Sequence, residues 1–202
     1  MIHELTGVVL AGGKSRRFGS NKALADWNGT TLVEAAAKSL LRVLPEVLVV
    51  TKDKESLGFM ESGNVKIVED LFREDHPLGG LYTGLQRIKT KYAFVCACDM
   101  PFVQLKLIEA LWEAGRNADY DAVIPVWQGK RQTLSGLYSR VCSGMIRSSI
   151  DRGTLGITAL CDRLRTRFYL EEEIKSEDPE GLSFLDIDTR EDYERVHRIR
   201  SC

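Results

Sequence analysis

The chain has 202 residues, of which 44% are hydrophobic, and a formal net charge of −1. This length suits one α/β domain with a substantial core, and the balanced charge excludes a basic surface for nucleic acid spread over the whole chain. Five scattered cysteines indicate a reducing compartment. The N-terminus lacks a signal-peptide pattern and no apolar run approaches the roughly 20 residues of a membrane span, so we expect a cytoplasmic protein without a membrane or nucleic-acid partner.

Short apolar runs alternate with helix-like segments in the first half of the chain. Buried strands are predicted at 7–10, 47–50, 65–68 and 92–98, and helices at 30–44, 79–88 and 104–114. Continuous apolar strands separated by helices predict an α/β fold with three layers, in which a mostly parallel, Rossmann-like central sheet carries helices on both faces. Such sheets bind ligands outside the carboxyl ends of their strands.

The second half of the chain is less regular. It predicts strands at 121–126, 134–138 and 183–187 and helices at 139–150, 154–163 and 190–200. The acidic segment 171–180 is expected to be a solvated loop. No linker or internal repeat separates this half from the first, so residues 1–202 are interpreted as one domain.

A segment rich in glycine and basic residues follows the first predicted strand. Its glycines let backbone N–H groups approach a ligand closely. Its cations suit phosphate oxygens, which arginine binds in pairs and lysine binds as a point charge. The segment therefore predicts a polyphosphate site rather than a merely soluble loop. It reads Leu10, Ala11, Gly12, Gly13, Lys14, Ser15, Arg16, Arg17, Phe18, Gly19, Ser20, Asn21 and Lys22.

Two other phosphate-binding motifs do not fit this segment. A P-loop ending in Gly13-Lys14-Ser15 would need glycine at Val8, and Gly7 is one residue out of register. The dinucleotide pattern G-x-G-x-x-G fails because Gly12 and Gly13 are adjacent and Gly19 is too distant.

The segment resembles the opening motif of the nucleotidyltransferase superfamily, A-G-G-x-S-x-R-M-G followed by lysine, with Phe18 in place of methionine. Three later segments, 68–70, 76–80 and 96–102, are most similar to the molybdenum cofactor guanylyltransferases of the MobA type; the last of them resembles that family's C-D-M-P-F motif. The similarity covers residues 5 to about 115. It is thinner afterwards, where 184–189 resembles a late N-x-N-T segment.

This resemblance implies transfer of GMP from GTP to the terminal phosphate of molybdopterin, with release of pyrophosphate and with Mg²⁺ as cofactor. It also implies a nucleotide-binding half at about 1–115 and an acceptor-binding half at about 116–202. A molybdoenzyme chaperone or a small GTP-binding accessory protein is implied as a partner.

Three side chains are the catalytic candidates. Lys22 would pair with the phosphates, Arg17 would hold the leaving pyrophosphate, and Asp99 would bind Mg²⁺ through hard carboxylate oxygens. The alternative for Asp99 is a cap on the following helix, whose start Pro101 favours. Asp188 is a candidate second metal ligand.

The late segment leaves the branch of the superfamily open. Asp186 and Asp188 stand where the MobA type has asparagines. Acids there could strengthen metal binding, or they could indicate the cytidylyltransferases of the same superfamily.

The remaining candidates concern the nucleotide. The resemblance implies that Asp70 contacts it, although a turn-forming aspartate is the alternative, and that Thr51 stands where the family has asparagine. Backbone groups of Leu10, Ala11 and Gly12 are expected to form the base pocket. The resemblance implies that the helix-entry residues Pro77, Leu78 and Gly79 complete it and favour guanine.

Other readings remain open from the sequence alone. A cytidylyltransferase or a sugar-phosphate nucleotidyltransferase would share the fold, and a non-catalytic GTP-binding regulator would share the nucleotide site. Cys96 and Cys98 lie on one strand face and are predicted to be buried packing residues. Arg131, Arg147 and Arg152 could contact a phosphorylated pterin or simply cover a solvated surface.

Overall fold

The computed structural model describes residues 1–12, 22–187 and 192. The strands are β1 (Leu5–Leu10), β2 (Asp26–Trp27), β3 (Thr30–Thr31), β4 (Val47–Thr51), β5 (Val65–Glu69), β6 (Tyr92–Ala97), β7 (Ala122–Trp127), β8 (Lys130–Arg131), β9 (Ser135–Ser139) and β10 (Thr166–Tyr169). The α-helices are α1 (Leu32–Leu40), α2 (Lys54–Leu57), α3 (Pro77–Arg87), α4 (Leu105–Gly115), α5 (Ser143–Asp151), α6 (Ile157–Cys161) and α7 (Glu171–Ile174).

One mixed sheet forms the centre of the molecule. Its strand order is β10-β7-β9-β6-β1-β4-β5, with β8 paired to β7. The strands β6, β1, β4 and β5 pair in parallel, whereas β9 runs antiparallel to both β6 and β7. The predicted mostly parallel sheet is therefore confirmed, and β9 joins the two halves of the chain within it.

Alternate strand residues build two separate cores, one on each face of the sheet. Val9 and Phe94 pack with α1 and α4 in the first core, while Val8 and Val95 pack with α3, α5 and α6 in the second. Both faces of the central strands are thus covered, which explains their continuous apolar sequences. The predicted three layers are confirmed.

Helix α3 lies close to β1 because two glycines stand on its facing side. A Cβ added at Gly84 would lie 2.6 Å from Cγ1 of Val8, and one at Gly80 would lie 3.2 Å from Cδ2 of Leu10. Glycine one turn apart lets the helix backbone rest on the strand. This contact places the N-terminus of α3 at the carboxyl end of β1.

Local sequence signals explain two further features. The turn between β2 and β3 has positive φ at Asn28 (53°) and Gly29 (77°), which is the preferred Asn-Gly hairpin turn. Thr31 then caps α1 through a reciprocal pair of bonds with Glu34. The helix begins at Leu32 and ends at Leu40, within the predicted range 30–44.

Two predictions for the second half are wrong, and one strand was not predicted. The segment 183–187 does not form a strand: Leu182–Phe184 is a 3₁₀ turn and no strand follows within the described residues. The acidic segment 171–180 contains α7 and buries Ile174 and Asp178, because two backbone N–H groups satisfy the Asp178 carboxylate. Strand β10, pairing with β7 in parallel, was not anticipated. The predicted helix 190–200 lies outside the described residues except for Asp192.

None of the helices in the described part of the chain combines the length and the apolar character that a membrane crossing requires.

Candidate functional site

The carboxyl ends of the parallel strands meet at one edge of the sheet. The N–H of Cys98 donates to the carbonyl of Leu10 (3.1 Å), and the N–H of Ala11 donates to the carbonyl of Val50 (2.8 Å). The chain leaving β1 therefore lies between the ends of β4 and β6. This arrangement brings Ala11, Gly12, Thr51, Asp70 and Asp99 to one edge, as the topology predicts.

Lys22 and Asp99 form an ion pair at this edge. The Nζ of Lys22 lies 2.7 Å from Oδ2 of Asp99, and the two side chains are 10% and 23% exposed. Lys22 opens a 3₁₀ turn, Lys22–Leu24, and Asp99 directly follows the tail of β6. The sequence analysis selected both residues, and the structure shows that they pair although they lie 77 residues apart in the sequence.

The backbone of Asp99 also receives the late segment of the chain. The N–H of Ile187 donates to the Asp99 carbonyl (3.1 Å), and Ile187 is fully buried. The described chain therefore reaches the Lys22–Asp99 pair immediately before Asp188. Asp188 itself lies outside the described residues, as do Gly13 and Arg17, so their predicted roles stay predictions.

The donor chemistry of Asp99 fits Mg²⁺. This ion prefers hard oxygen ligands and is usually held by one or two carboxylates together with substrate phosphates and water. Asp99 offers a carboxylate that is partly exposed at the ligand edge. Among the residues that the structure describes, no group of three or more His, Cys, Asp or Glu is assembled.

Asp70 fastens the end of β5 to α3. Its Oδ1 accepts bonds from the hydroxyl of Thr83 (2.8 Å) and from the N–H of Phe72 (3.1 Å). The Thr83 hydroxyl in turn accepts from the N–H of Leu71 (3.0 Å). This geometry is that of the turn-forming aspartate. The second oxygen, Oδ2, faces Gly79, where an added Cβ would lie 3.4 Å from it.

The N-terminus of α3 is capped by a histidine. The Nδ1 of His76 accepts from the N–H of Gly79 (3.0 Å), and Pro77, which has no N–H to satisfy, begins the helix. The sequence analysis did not identify this cap. The Leu78 side chain is fully buried in the second core, which leaves its backbone for a ligand contact.

The Thr51 side chain is engaged within its own turn. Thr51 is 2% exposed, and its hydroxyl accepts from the N–H of Asp53 (3.1 Å). Its carbonyl accepts from the N–H of Asp70 (2.7 Å). The predicted nucleotide contact of Thr51 stays a prediction, and these bonds leave little freedom for its hydroxyl to make one.

Lys52 is a feature of this edge that sequence reasoning missed. Its Nζ contacts the carbonyls of Arg73 (3.0 Å) and Glu74 (2.5 Å) and the Oδ1 of Asp75 (2.6 Å). The signal was available, since Lys52 follows the end of β4 and strand ends were the predicted location of the site. The lysine was overlooked because the resemblance carries no motif at this position.

The two cysteines beside the site are packing residues, as predicted. Cys96 and Cys98 are buried free thiols of the first core. Burial and, to a smaller extent, the charge of Asp99 raise the pKa of the Cys98 thiol to about 12, against an opposing effect of Lys22. A thiol of this kind is protonated and inert at neutral pH.

Two arginines proposed for a phosphorylated acceptor are paired within the protein. Arg131 lies 2.5 Å from Oδ1 of Asp162, and Arg147 lies 3.0 Å from Oδ1 of Asp151. Arg147 also lies over the ring of Phe72. Both guanidinium groups therefore have structural partners on the surface.

The fold and the strand-end site define a nucleotide-binding α/β protein, and comparison with known proteins narrows the class. The family model of the MobA-like NTP transferase domain matches residues 7–167. A molybdenum cofactor guanylyltransferase from Desulfosudis oleivorans is 32% identical, with 95% of this chain and 94% of that protein covered. A "Probable molybdenum cofactor guanylyltransferase" from Bacillus licheniformis is also 32% identical, over 94% of each chain.

A solved structure extends this similarity to the fold. The crystal structure of molybdopterin-guanine dinucleotide biosynthesis protein A from Archaeoglobus fulgidus superposes with a TM-score of 0.85 at 26% identity, covering 97% of this chain and 98% of that one. The chain therefore belongs to the MobA-like NTP transferase family, a family of nucleotidyltransferase enzymes.

Proposed function

We propose that this protein transfers GMP from GTP to the terminal phosphate of molybdopterin. An oxygen of that phosphate attacks the α-phosphorus of GTP, the bond from the α-phosphorus to its bridging oxygen breaks, and pyrophosphate leaves. The product is molybdopterin guanine dinucleotide. The names of the two relatives at 32% identity support this substrate pair.

The observation that carries the proposal is the Lys22–Asp99 pair at the carboxyl edge. Displacement at a phosphate needs positioned reactants and stabilised charge rather than covalent chemistry from the protein. Lys22 supplies a point charge for the phosphates, and Asp99 supplies the carboxylate for Mg²⁺. The ion, when bound, neutralises phosphate charge and assists departure of the leaving group.

The proposal assigns the base to the first half of the chain and the acceptor to the second. Residues Leu10 to Gly12 continue from the end of β1, and Gly80, which directly follows Pro77 to Gly79, lies with its Cβ position 3.2 Å from Cδ2 of Leu10. About 1–115 would therefore bind GTP and about 116–202 would bind molybdopterin. Reaction in the cytoplasm agrees with the four described cysteines being free thiols.

Nucleotide selectivity and product formation test this proposal together. Thermal unfolding with GTP, CTP, ATP and UTP, each with and without Mg²⁺, should show selective stabilisation by GTP. A ligand present at about 100 times its dissociation constant adds about 2.7 kcal/mol to the free energy of unfolding. Pyrophosphate release should then require molybdopterin as well as GTP.

The other outcomes identify the alternatives. Preference for CTP would indicate a cytidylyltransferase, and release of pyrophosphate with a sugar phosphate would indicate a sugar-phosphate nucleotidyltransferase. Binding of GTP without transfer to molybdopterin would indicate a regulator. Failure to bind any of the four nucleotides would contradict the proposed function.

A further inference from the structure

Lys52 connects two segments on which the proposed base pocket depends. Its methylene stem lies along Gly12, with Cγ at 3.7 Å and Cε at 3.9 Å from the Cβ position of that glycine. Its ammonium reaches in the other direction, to the loop between β5 and α3. The side chain thus spans from the loop after β1 to the loop before α3.

The ammonium group is fully engaged on that loop. Lysine has three donors, and Nζ finds three acceptors, the carbonyls of Arg73 and Glu74 and the carboxylate of Asp75. The Lys52 and Asp75 side chains are only 24% and 31% exposed. A charged donor shared among three acceptors in this setting holds the loop more firmly than a single surface ion pair would.

The held loop leads directly into the first turn of α3. The Glu74 carbonyl that accepts from Lys52 also accepts from the N–H of His76 (3.1 Å). His76 caps the helix at Gly79. Asp70 holds the other end of the same loop through Phe72. Lys52 is therefore the cross-link that relates the start of α3 to Gly12.

We propose that Lys52 is a positioning residue that sets the width of the base pocket, and with it the discrimination between nucleobases. Its stem contacts one wall at Gly12, and its ammonium fixes the loop that carries the other wall, Pro77 to Gly79. This inference rests on the proposed function for the identity of the pocket. It assigns Lys52 no contact with the substrate and no part in the transfer step.

The test compares three substitutions with the wild-type enzyme. Lys52→Met keeps most of the stem and removes the ammonium, while Lys52→Arg keeps a cation that can reach the same acceptors. Lys54→Met is the matched control, because Lys54 pairs with Glu61 at 3.6 Å and is 48% exposed. For each protein, the dissociation constants of GTP, ATP, CTP and UTP are measured by calorimetry, and KM and kcat by pyrophosphate release.

Lys52→Met should raise the dissociation constant and KM of the preferred nucleotide about tenfold, the effect of losing one charge-assisted hydrogen bond. The kcat should stay at the wild-type value, and the preference over the other three nucleotides should shrink. Lys52→Arg should recover most of the preference, and Lys54→Met should match the wild type. If Lys52→Met does not fold, Asp75→Asn weakens the same cross-link and carries the test.

Three results would overturn the inference. The first is unchanged discrimination between nucleobases in Lys52→Met. The second is an equal loss of affinity for all four nucleotides, which would indicate a phosphate contact. The third is a fall in kcat with unchanged KM. A wild-type preference for a base other than guanine would contradict the proposed function but not the role of Lys52. That role is tested by comparing the preference of the variant with the preference of the wild type, whichever base the wild type selects.

Discussion

The two halves of the chain contribute in different ways to the edge of the sheet that carries the candidate site. In the first half, β1, β4, β5 and β6 run in parallel and end side by side. In the second half, β9 reverses direction and the β7–β8 hairpin turns back on itself. Strand order therefore brings the strand-end residues of the first half together, whereas the second half is placed mainly by polar contacts between segments that are distant in sequence.

The contacts of the late segment illustrate this difference. The Ser183 hydroxyl accepts from the N–H of Gln104 at the start of α4 (2.9 Å), and Ile187 reaches the carbonyl of Asp99. The buried Asp178 carboxylate accepts from the N–H groups of Leu182 and Ser183. Asp99 in the first half should therefore matter for catalysis, whereas Asp178 in the second half should matter for stability.

Replacement of Asp99 should give the largest effect on activity. Asp99→Ala removes the proposed Mg²⁺ ligand and the partner of Lys22, so we expect kcat/KM with GTP to fall about 1,000-fold, the upper range for losing one preorganised electrostatic group. Asp119→Ala is the matched control, because Asp119 is 85% exposed and its two ion pairs are long. Near-wild-type transfer by Asp99→Ala would remove this residue from the mechanism.

The buried thiols of both halves are expected to be protonated and unreactive at neutral pH. Cys142 tests this expectation in the second half. Burial, with a smaller contribution from Asp121, raises its pKa from 9.0 to about 12. Its thiolate fraction at pH 8 is then about 1,000-fold below that of an ordinary thiol, so a thiolate-specific reagent should modify it only after denaturation. A Cys202→Ser background is used so that the four buried cysteines are the thiols present.

The same pKa gives a direction for stability. Unfolded thiols ionise near pH 9 while the folded Cys142 remains protonated, so its contribution to stability is complete below pH 9 and is lost as the pH rises towards about 12. Cys142→Ala should therefore reduce the alkaline loss of stability in a pH series of thermal unfolding. Rapid modification of the native protein at pH 8 would show that this part of the core is open.

Replacement of Asp178 should lower stability with little direct effect on transfer. Asp178→Ala leaves two N–H groups without their acceptor at a site that is 2% exposed, and we expect the free energy of unfolding to fall by about 3 kcal/mol. Asp162→Ala is the control. The Asp162 side chain is 55% exposed, so its ion pair with Arg131 should contribute at most about 1 kcal/mol to the free energy of unfolding. Equal losses in urea unfolding would contradict the assigned role of Asp178.

The close approach of α3 to β1 can be tested with matched glycine substitutions. Gly84→Ala places a methyl group 2.6 Å from Val8, and the resulting overpacking should cost about 2 kcal/mol. Gly144→Ala, in α5, meets no atom within 4 Å and should be neutral or stabilise by up to about 1 kcal/mol. An unchanged free energy of unfolding in Gly84→Ala would contradict this prediction, since it would mean that α3 can move away from β1 at no cost.

Much of the first half could be predicted from the sequence because its signals are local. Apolar runs located β1, β4, β5 and β6. The strand-end rule selected Asp99, and the segment rich in glycine and basic residues selected Lys22. Lys52 escaped attention because its function depends on a loop more than 20 residues away. A resemblance supplies only the positions that carry a family motif, so a cross-link outside the motifs has to be found in the structure.

The second half was less predictable because tertiary contacts decide its elements. The acidic composition of 171–180 indicates a solvated loop, yet two N–H bonds make burial of Asp178 favourable. The run 183–187 has a strand-like composition, but Ser183 and Ile187 bond to other segments instead of a neighbouring strand. Neither outcome is encoded within the segment itself.

The smallest expected effect concerns the cap of α1, where a local signal can be tested by itself. Thr31→Ala removes the hydroxyl that accepts from the N–H of Glu34, and we expect a loss of about 1 kcal/mol in the free energy of unfolding. Thr30→Ala is the control, because it leaves both bonds of the reciprocal cap in place. Equal losses in the two variants would show that the cap does not stabilise the helix.

The pH dependence of this difference tests the mechanism of the cap. Partial burial raises the pKa of Glu34, but the hydrogen bonds from Thr31, with smaller contributions from Thr30 and the charge of Lys38, together outweigh burial and leave that pKa below its usual value of 4.5. A lowered pKa contributes stability above the pKa of the unfolded chain, and this contribution is lost as the pH falls through the folded value. Because Thr31→Ala removes the hydroxyl bond to Glu34, the gap between wild type and variant should narrow in acid, whereas a constant gap would mean that Thr31 acts by packing alone.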